Sequence, residues 1–180
     1  MIESSFGLTF LTQPLKLFMY VPLADTSVEE DPQICFRAAN CKSLRHWEAL
    51  GLDFASYEET WVTIQFPDPW AKSRHLRRRL VDRDFVNLLL KLFCVEKSTK
   101  DRKTNRTFNL YISSDRHDLF EEMRGEVESA FRQFLEGNSN FDLESRELDA
   151  HPFGVGTERD GVCEHLGRVP RRAIFVLRER

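Results

Sequence analysis

The chain has 180 residues, enough for one domain with a sizeable core. Its 26 Lys and Arg against 29 Asp and Glu leave a net charge of −3, so overall charge gives no support to a nucleic-acid partner, and that case must rest on local clusters. Four cysteines without a Cys-x-x-Cys pair argue against a zinc knuckle or redox pair and suit a reducing compartment, and no apolar run is long enough to span a membrane.

Up to about Ala24 the chain is mildly apolar and carries only Lys16 as a cation, unlike a secretory signal or an Arg-rich transit peptide. No element is predicted over residues 1–32; Asp25, Glu29, Glu30 and Asp31 there read as a solvated acidic linker. An α/β domain is expected over residues 33–180. Ile34, Cys35 and Phe36 suggest a short strand over 33–37. Val62, Ile64 and Phe66 alternate with Thr63 and Gln65, which predicts a strand over 61–66. Asp82 or Asp84 can cap a helix whose apolar side is Phe85, Leu88, Leu89, Leu92 and Phe93. Residues 96–106 contain no apolar side chain and read as an exposed loop. A strand over 107–113 follows, with Phe108, Leu110 and Ile112 on one face. Asp115 and Asp118 then open a helix that buries Leu119, Phe120, Met123, Val127, Phe131 and Phe134. Residues 138–156 read as loop, and 172–177 as a closing strand. Strands alternating with helices predict an α/β sheet, and fifteen phenylalanines supply bulky core material.

The densest chemistry lies in residues 66–79, Phe-Pro-Asp-Pro-Trp-Ala-Lys-Ser-Arg-His-Leu-Arg-Arg-Arg. Proline fixes φ and removes an amide donor, so Pro67 and Pro69 end the strand and hold Asp68 in a rigid turn. Lys72, Arg74, Arg77, Arg78 and Arg79 follow at once. An acid beside a guanidinium cluster suits a polar, phosphate-bearing substrate; the alternative is a solvated basic helix start. Trp70 could stack on a base or belong to the core. His75 adjoins the basic run, while His46, His117, His151 and His165 show no metal-ligand spacing and read as structural.

This run resembles the signature of the tRNA (guanine-N7)-methyltransferases: Phe-Pro-Asp-Pro-Trp, a small residue or proline, Lys-Lys-Arg-His, any residue, then Lys-Arg-Arg. Ser73 stands in place of the second lysine and Arg77 in place of a usual lysine. Two later segments extend the likeness. Leu110-Tyr111-Ile112-Ser113-Ser114-Asp115, followed by Met123, resembles the family's strand ending in Thr-Asp before a helix. Residues 152–160, with Thr157, Glu158, Arg159 and Asp160, resemble its Pro-Thr-x-(Phe or Arg)-Glu segment, with Asp160 where glutamate is usual.

The resemblance implies a Rossmann-like methyltransferase sheet with helices on both faces, and a methyl group passed from S-adenosylmethionine to N7 of a guanine in the tRNA variable loop. Guanine N7 carries a lone pair and no proton, so its methylation needs orientation for in-line attack rather than a base. A carboxylate near the positive charge that develops on the purine also helps. By resemblance Asp68 is the active-site residue and a cofactor contact. Asn40, in a step like the family's Asp-Ala or Asn-Ala, is a second cofactor contact. Lys72, Asp115, Thr157, Glu158, Arg159 and Asp160 face the substrate, and Arg74, Arg77, Arg78 and Arg79 meet RNA phosphates. For Asp115 a helix N-cap is the alternative role. The wording Thr63-Ile64-Gln65-Phe66-Pro67-Asp68-Pro69-Trp70 resembles cyanobacterial and plastid-type members, which implies a cytoplasmic or plastid compartment, neither secreted nor membrane-bound.

The match covers the family's C-terminal half. Residues 1–32 contain one glycine, Gly7, and no Gly-x-Gly, so the N-terminal Gly-rich turn that lets backbone approach the cofactor is not found there. Three readings stay open: an active tRNA methyltransferase, a catalytically inactive tRNA-binding remnant or subunit of one, and an α/β interaction domain whose basic run meets an acidic protein.

Overall fold

The computed structural model describes the backbone of residues 5–11, 16–21 and 33–38, and residues 58–67, 79–94 and 105–180 with their side chains. Among the described residues there are seven strands: β1 (Ser5–Leu11), β2 (Lys16–Val21), β3 (Gln33–Ala38), β4 (Glu59–Gln65), β5 (Thr107–Ser114), β6 (Phe141–Glu147) and β7 (Arg171–Glu179). They form one mixed sheet in the order β3-β2-β1-β4-β5-β7-β6. The described helices are α1 (Arg83–Cys94), α2 (His117–Gly137) and α3 (Glu158–His165). β4 lies parallel to both β1 and β5, and all other pairs are antiparallel. The expected α/β, Rossmann-like architecture is what the chain forms.

Alternation along the strands gives the sheet two unlike faces. Val62, Ile64, Phe108, Leu110, Ile112, Ala173, Phe175 and Leu177 point to one face and are buried under α1 and α2. Asp82 begins α1, its Oδ1 accepting from the Phe85 amide at 2.9 Å, so the capping acid is Asp82 rather than Asp84. Phe85, Val86, Leu89, Leu90 and Phe93 form its buried stripe, and Leu119, Phe120, Met123, Val127, Ala130 and Phe131 that of α2. Phe93 meets Phe108 at 5.4 Å and Phe131 stacks on Phe175 at 5.9 Å between ring centroids. Burying one such ring contributes roughly 1.5–3 kcal/mol.

The opposite face carries Trp61, Thr63, Gln65, Asn109, Tyr111, Ser113, Arg172, Ile174 and Val176 by the same registers. The first turn of α3 reaches it through an ion pair between Asp160 and Arg172.

Three expectations are corrected. Residues 138–156 are not all loop, because β6 lies within them. Its sequence hides this: only Phe141 and Leu143 are apolar. As the edge strand it needs no more, and Asp142 and Glu144 pair with Arg180 and Arg178. Arg106 does not end an exposed loop, being 1% exposed. Its Nε donates to Glu179 Oε2 at 2.9 Å, its Nη1 donates to the Phe93 carbonyl at 2.8 Å, and the guanidinium lies over the Phe93 ring. It therefore closes the end of α1 onto β7. α2 is not capped by Asp115; Arg116 holds the N-cap position without a side-chain cap bond, and Asp118 sits in the first turn. Residues 1–32, to which the sequence pattern assigns no element, contribute β1 and β2 to the sheet.

Candidate functional site

Open α/β sheets bind ligands outside the carboxyl ends of their parallel strands. β4 and β5 end side by side, Gln65 opposite Ser113, and β7 begins at the same edge with Arg171 opposite Ser114. The chain leaves β4 at Phe66, whose amide donates to the Ser113 carbonyl at 2.9 Å and whose φ is 47°. Positive φ is uncommon for a bulky residue and costs on the order of 1–3 kcal/mol. Pro67 is buried directly after it. The exit from β4 is thus a fixed, strained corner two residues before Asp68. Asp68 itself, with Asn40, Trp70, Lys72, Arg74, His75, Arg77 and Arg78, lies outside the described residues, as does His46.

Asp115 stands just past the end of β5, its side chain 11% exposed. Arg159 Nη2 donates to its Oδ2 at 2.6 Å, and Arg168 Nη1 approaches the same oxygen at 3.6 Å. Both guanidiniums reach outward, so one half-hidden carboxylate holds two exposed cations at the rim. Arg79, expected among phosphate contacts, instead pairs with Glu122 of α2 and its side chain is 16% exposed.

Thr157 and its neighbours are not a loop but the start of α3. The Thr157 hydroxyl accepts from the Asp160 amide at 3.2 Å, and Asp160 Oδ2 accepts from the Thr157 amide at 2.7 Å, a reciprocal capping box. Asp160 Oδ1 accepts from Arg172 Nη2 at 2.6 Å. Burial alone would raise the Asp160 pKa, but the Thr157 bonds and the Arg172 guanidinium outweigh it and hold the carboxyl below its usual range. Both oxygens of Asp160 are thus occupied, while Glu158 and Arg159 project into solvent. A Cβ on Gly156 would lie 3.2 Å from the Asp160 Cβ, so glycine lets the backbone pass this close. An open groove of about 610 Å3 follows, lined by Thr157, Asp160, Gly161, Arg168, Pro170 and Arg172.

The segment before α3 crosses the polar face of the sheet. His151 Nδ1 accepts from the Phe153 amide at 3.3 Å, which leaves the proton on Nε2 to donate to Gln65 Oε1 at 3.2 Å. Burial lowers the His151 pKa, in keeping with this neutral form. Its ring meets Tyr111 edge-on at 5.2 Å, and Phe153 packs on Trp61 at 4.8 Å. Burial raises the Tyr111 phenol above its ordinary value, with Ser113 and Arg172 near enough to temper the rise. Even so, the Tyr111 hydroxyl, Ser113 Oγ and Arg172 Nε are buried without a hydrogen-bond partner among the described residues.

Of the expected site residues, the fold brings Asp115, Thr157, Glu158, Arg159 and Asp160 to one edge. Sequence reasoning missed Arg168 and Arg172. The second carried a legible signal, a cation set in the apolar strand Ala173-Ile174-Phe175-Val176-Leu177, which must find a partner when buried.

Residues 40–168 match the family model Methyltransf_4, a methyltransferase family. A tRNA (guanine-N(7)-)-methyltransferase of Synechococcus sp. (strain JA-3-3Ab) is 34% identical over 125 residues, covering 69% of this chain and 43% of the relative. The protein of that name from Prochlorococcus marinus (strain NATL1A) is 33% identical over 118 residues, 66% of this chain and 47% of the relative. That from Microcystis aeruginosa (strain NIES-843) is 58% identical over 118 residues, 66% of this chain and 48% of the relative. The chain spans less than half the length of these curated relatives. With the family model matched over most of its length and relatives of that name covering about two thirds of it, the chain belongs to the tRNA (guanine-N7)-methyltransferase family, Methyltransf_4.

Proposed function

We propose that this chain acts in N7-methylation of a guanine in the tRNA variable loop, with S-adenosylmethionine as methyl donor. The observation that carries the reading is the Phe66–Ser113 hydrogen bond, which fixes the corner leading to Asp68 beside the end of β5, where Asp115 gathers Arg159 and Arg168. In this reading Asp68 orients the purine and offsets its developing positive charge, and can accept from the guanine N1 and N2 donors. Lys72, Asp115, Thr157, Glu158 and Arg159 grip the nucleotide; Arg74, Arg77 and Arg78 meet phosphates, which adds affinity without sequence choice. Residues 33–180 form this substrate-facing unit, in a cytoplasmic or plastid compartment. The test is incubation of the chain with tRNA and S-adenosylmethionine, followed by mass spectrometry of the nucleosides. Appearance of 7-methylguanosine supports the reading, and its absence together with absent tRNA binding rejects it.

The donor's own cradle does not fit the described residues. Asn40 and Asp68, which would hold S-adenosylmethionine, lie outside them. β1 is joined to β2 by residues 12–15 and the two strands are antiparallel. A parallel crossover needs about a dozen residues or more, so the step from β1 to β2 is not the parallel crossover that a Gly-rich cofactor turn opens. This favours a second reading, a tRNA-binding subunit without its own methyl donor site. Calorimetric titration with S-adenosylmethionine separates the two, since stoichiometric binding by the isolated chain excludes the second.

A further inference from the structure

Arg172 is the one described side chain that touches both ends of the segment crossing the polar face. Its Nη1 donates to the Asp149 carbonyl at 3.3 Å, where the segment leaves β6, and its Nη2 donates to Asp160 Oδ1 at 2.6 Å, where α3 begins. A third bond, from Nη1 to the Pro170 carbonyl at 3.2 Å, fixes the guanidinium against its own strand. Between the two clasped ends the chain turns at Gly154, whose φ is 69°, and is held by His151 on Gln65 and Phe153 on Trp61. Arg172 is 9% exposed, and its Nη atoms are already engaged by Asp149, Pro170 and Asp160. What it controls is the place of its neighbours. Asp160 holds the Thr157 amide, and one residue earlier Arg159 holds Asp115. A planar fork with several donors suits this double grip, which a single ammonium cannot reproduce.

We propose that Arg172 is a positioning residue for tRNA binding: it cinches residues 149 and 160 together and thereby sets Thr157 and Arg159 against Asp115. Asp160, placed by resemblance among the substrate contacts, serves this clasp instead of the tRNA. The proposal rests on the tRNA reading of the site, but its mechanical part can be judged separately.

The experiment is amide hydrogen exchange on the full chain, paired with tRNA affinity by fluorescence anisotropy, for wild type, Arg172→Met and Arg172→Lys. Arg172→Met is expected to speed exchange at Thr157 and Gly161 by about tenfold or more, the loss of one charge-assisted bond, while α1 and α2 keep their protection. Its tRNA affinity should fall by a comparable factor, about tenfold. Arg172→Lys keeps a cation for Asp160 but lacks the fork. It should restore Thr157 protection and most of the affinity, while the turn at residues 151–154 stays faster than in wild type. Unchanged exchange at Thr157 in Arg172→Met overturns the clasp. If that variant loses protection throughout, Arg172→Lys decides: faster exchange confined to residues 149–154 supports the clasp, and none there overturns it. A wild-type chain that binds no tRNA removes the tRNA reading, and the exchange data still stand for or against the clasp.

Discussion

The two faces of the sheet are built on opposite principles. Under α1 and α2 the contacts are rings and branched chains, Phe93 on Phe108 and Phe131 on Phe175, which hold by area and shape. Across the sheet a single segment is held by named polar bonds, His151 to Gln65 and Asp160 to Arg172, over three buried polar atoms that have no partner among the described residues. The first face tolerates no gap but asks for no direction. The second depends on direction, and so can place a side chain at a chosen point. It is the second face, with the sheet edge beside it, that gathers Asp115, Thr157 and Arg159, the residues proposed here to meet substrate.

Breaking the apolar face should have the largest effect on stability. Phe131→Ala leaves a cavity between α2 and β7 and is expected to cost about 3–5 kcal/mol, read as a lower urea midpoint with an unchanged slope. A loss below about 1 kcal/mol would mean that this core repacks and the contrast between faces is overstated. On the polar face, His151→Ala removes the bonds to Gln65 and from the Phe153 amide and should cost about 0.5–1.5 kcal/mol per bond, with weaker tRNA binding as its main consequence. Tyr111→Phe sharpens the comparison further. Because the hydroxyl has no partner among the described residues, its removal should leave the urea midpoint unchanged or raise it, and a clear loss would show that the hydroxyl is bonded in solution.

Acid acts on the same face. The folded Asp160 pKa is depressed, so its contribution is complete above the unfolded-state value and fades as pH falls through the lower folded value. Exchange at Thr157 should therefore stay slow down to the ordinary carboxylate range and quicken only below it, whereas in Asp160→Asn it should show no such acid step. The basic run offers the smallest effect. Changing Arg77 and Arg78 to Ala should flatten the salt dependence of tRNA binding by about one unit of slope per phosphate contact, while Arg79→Ala, whose partner is Glu122, should leave the slope alone. Equal changes for all three would return Arg79 to the phosphate contacts.

Much of the helical face was legible because periodicity reports burial: α1, α2, β4 and β5 sit where their apolar spacing predicts them. β6 was not, since an edge strand with two apolar residues has no alternation to read. Arg106 misled for the opposite reason, since a cation in a polar run looks solvated until tertiary structure supplies Glu179 and the Phe93 carbonyl. At the site, resemblance singled out Asp115 and the Thr157 segment, which composition alone would not have. A linear pattern could not show that both carboxylate oxygens of Asp160 bond to Thr157 and Arg172.

The central claim is that the corner after β4 presents Asp68 to a guanine of tRNA. It is tested most directly by comparing wild type with Asp68→Asn for tRNA affinity and for 7-methylguanosine formed in the presence of S-adenosylmethionine. The account predicts that the variant keeps its tRNA affinity and loses methyl transfer by at least about a hundredfold, the scale of one preorganised electrostatic group. A variant that methylates at the wild-type rate would contradict it.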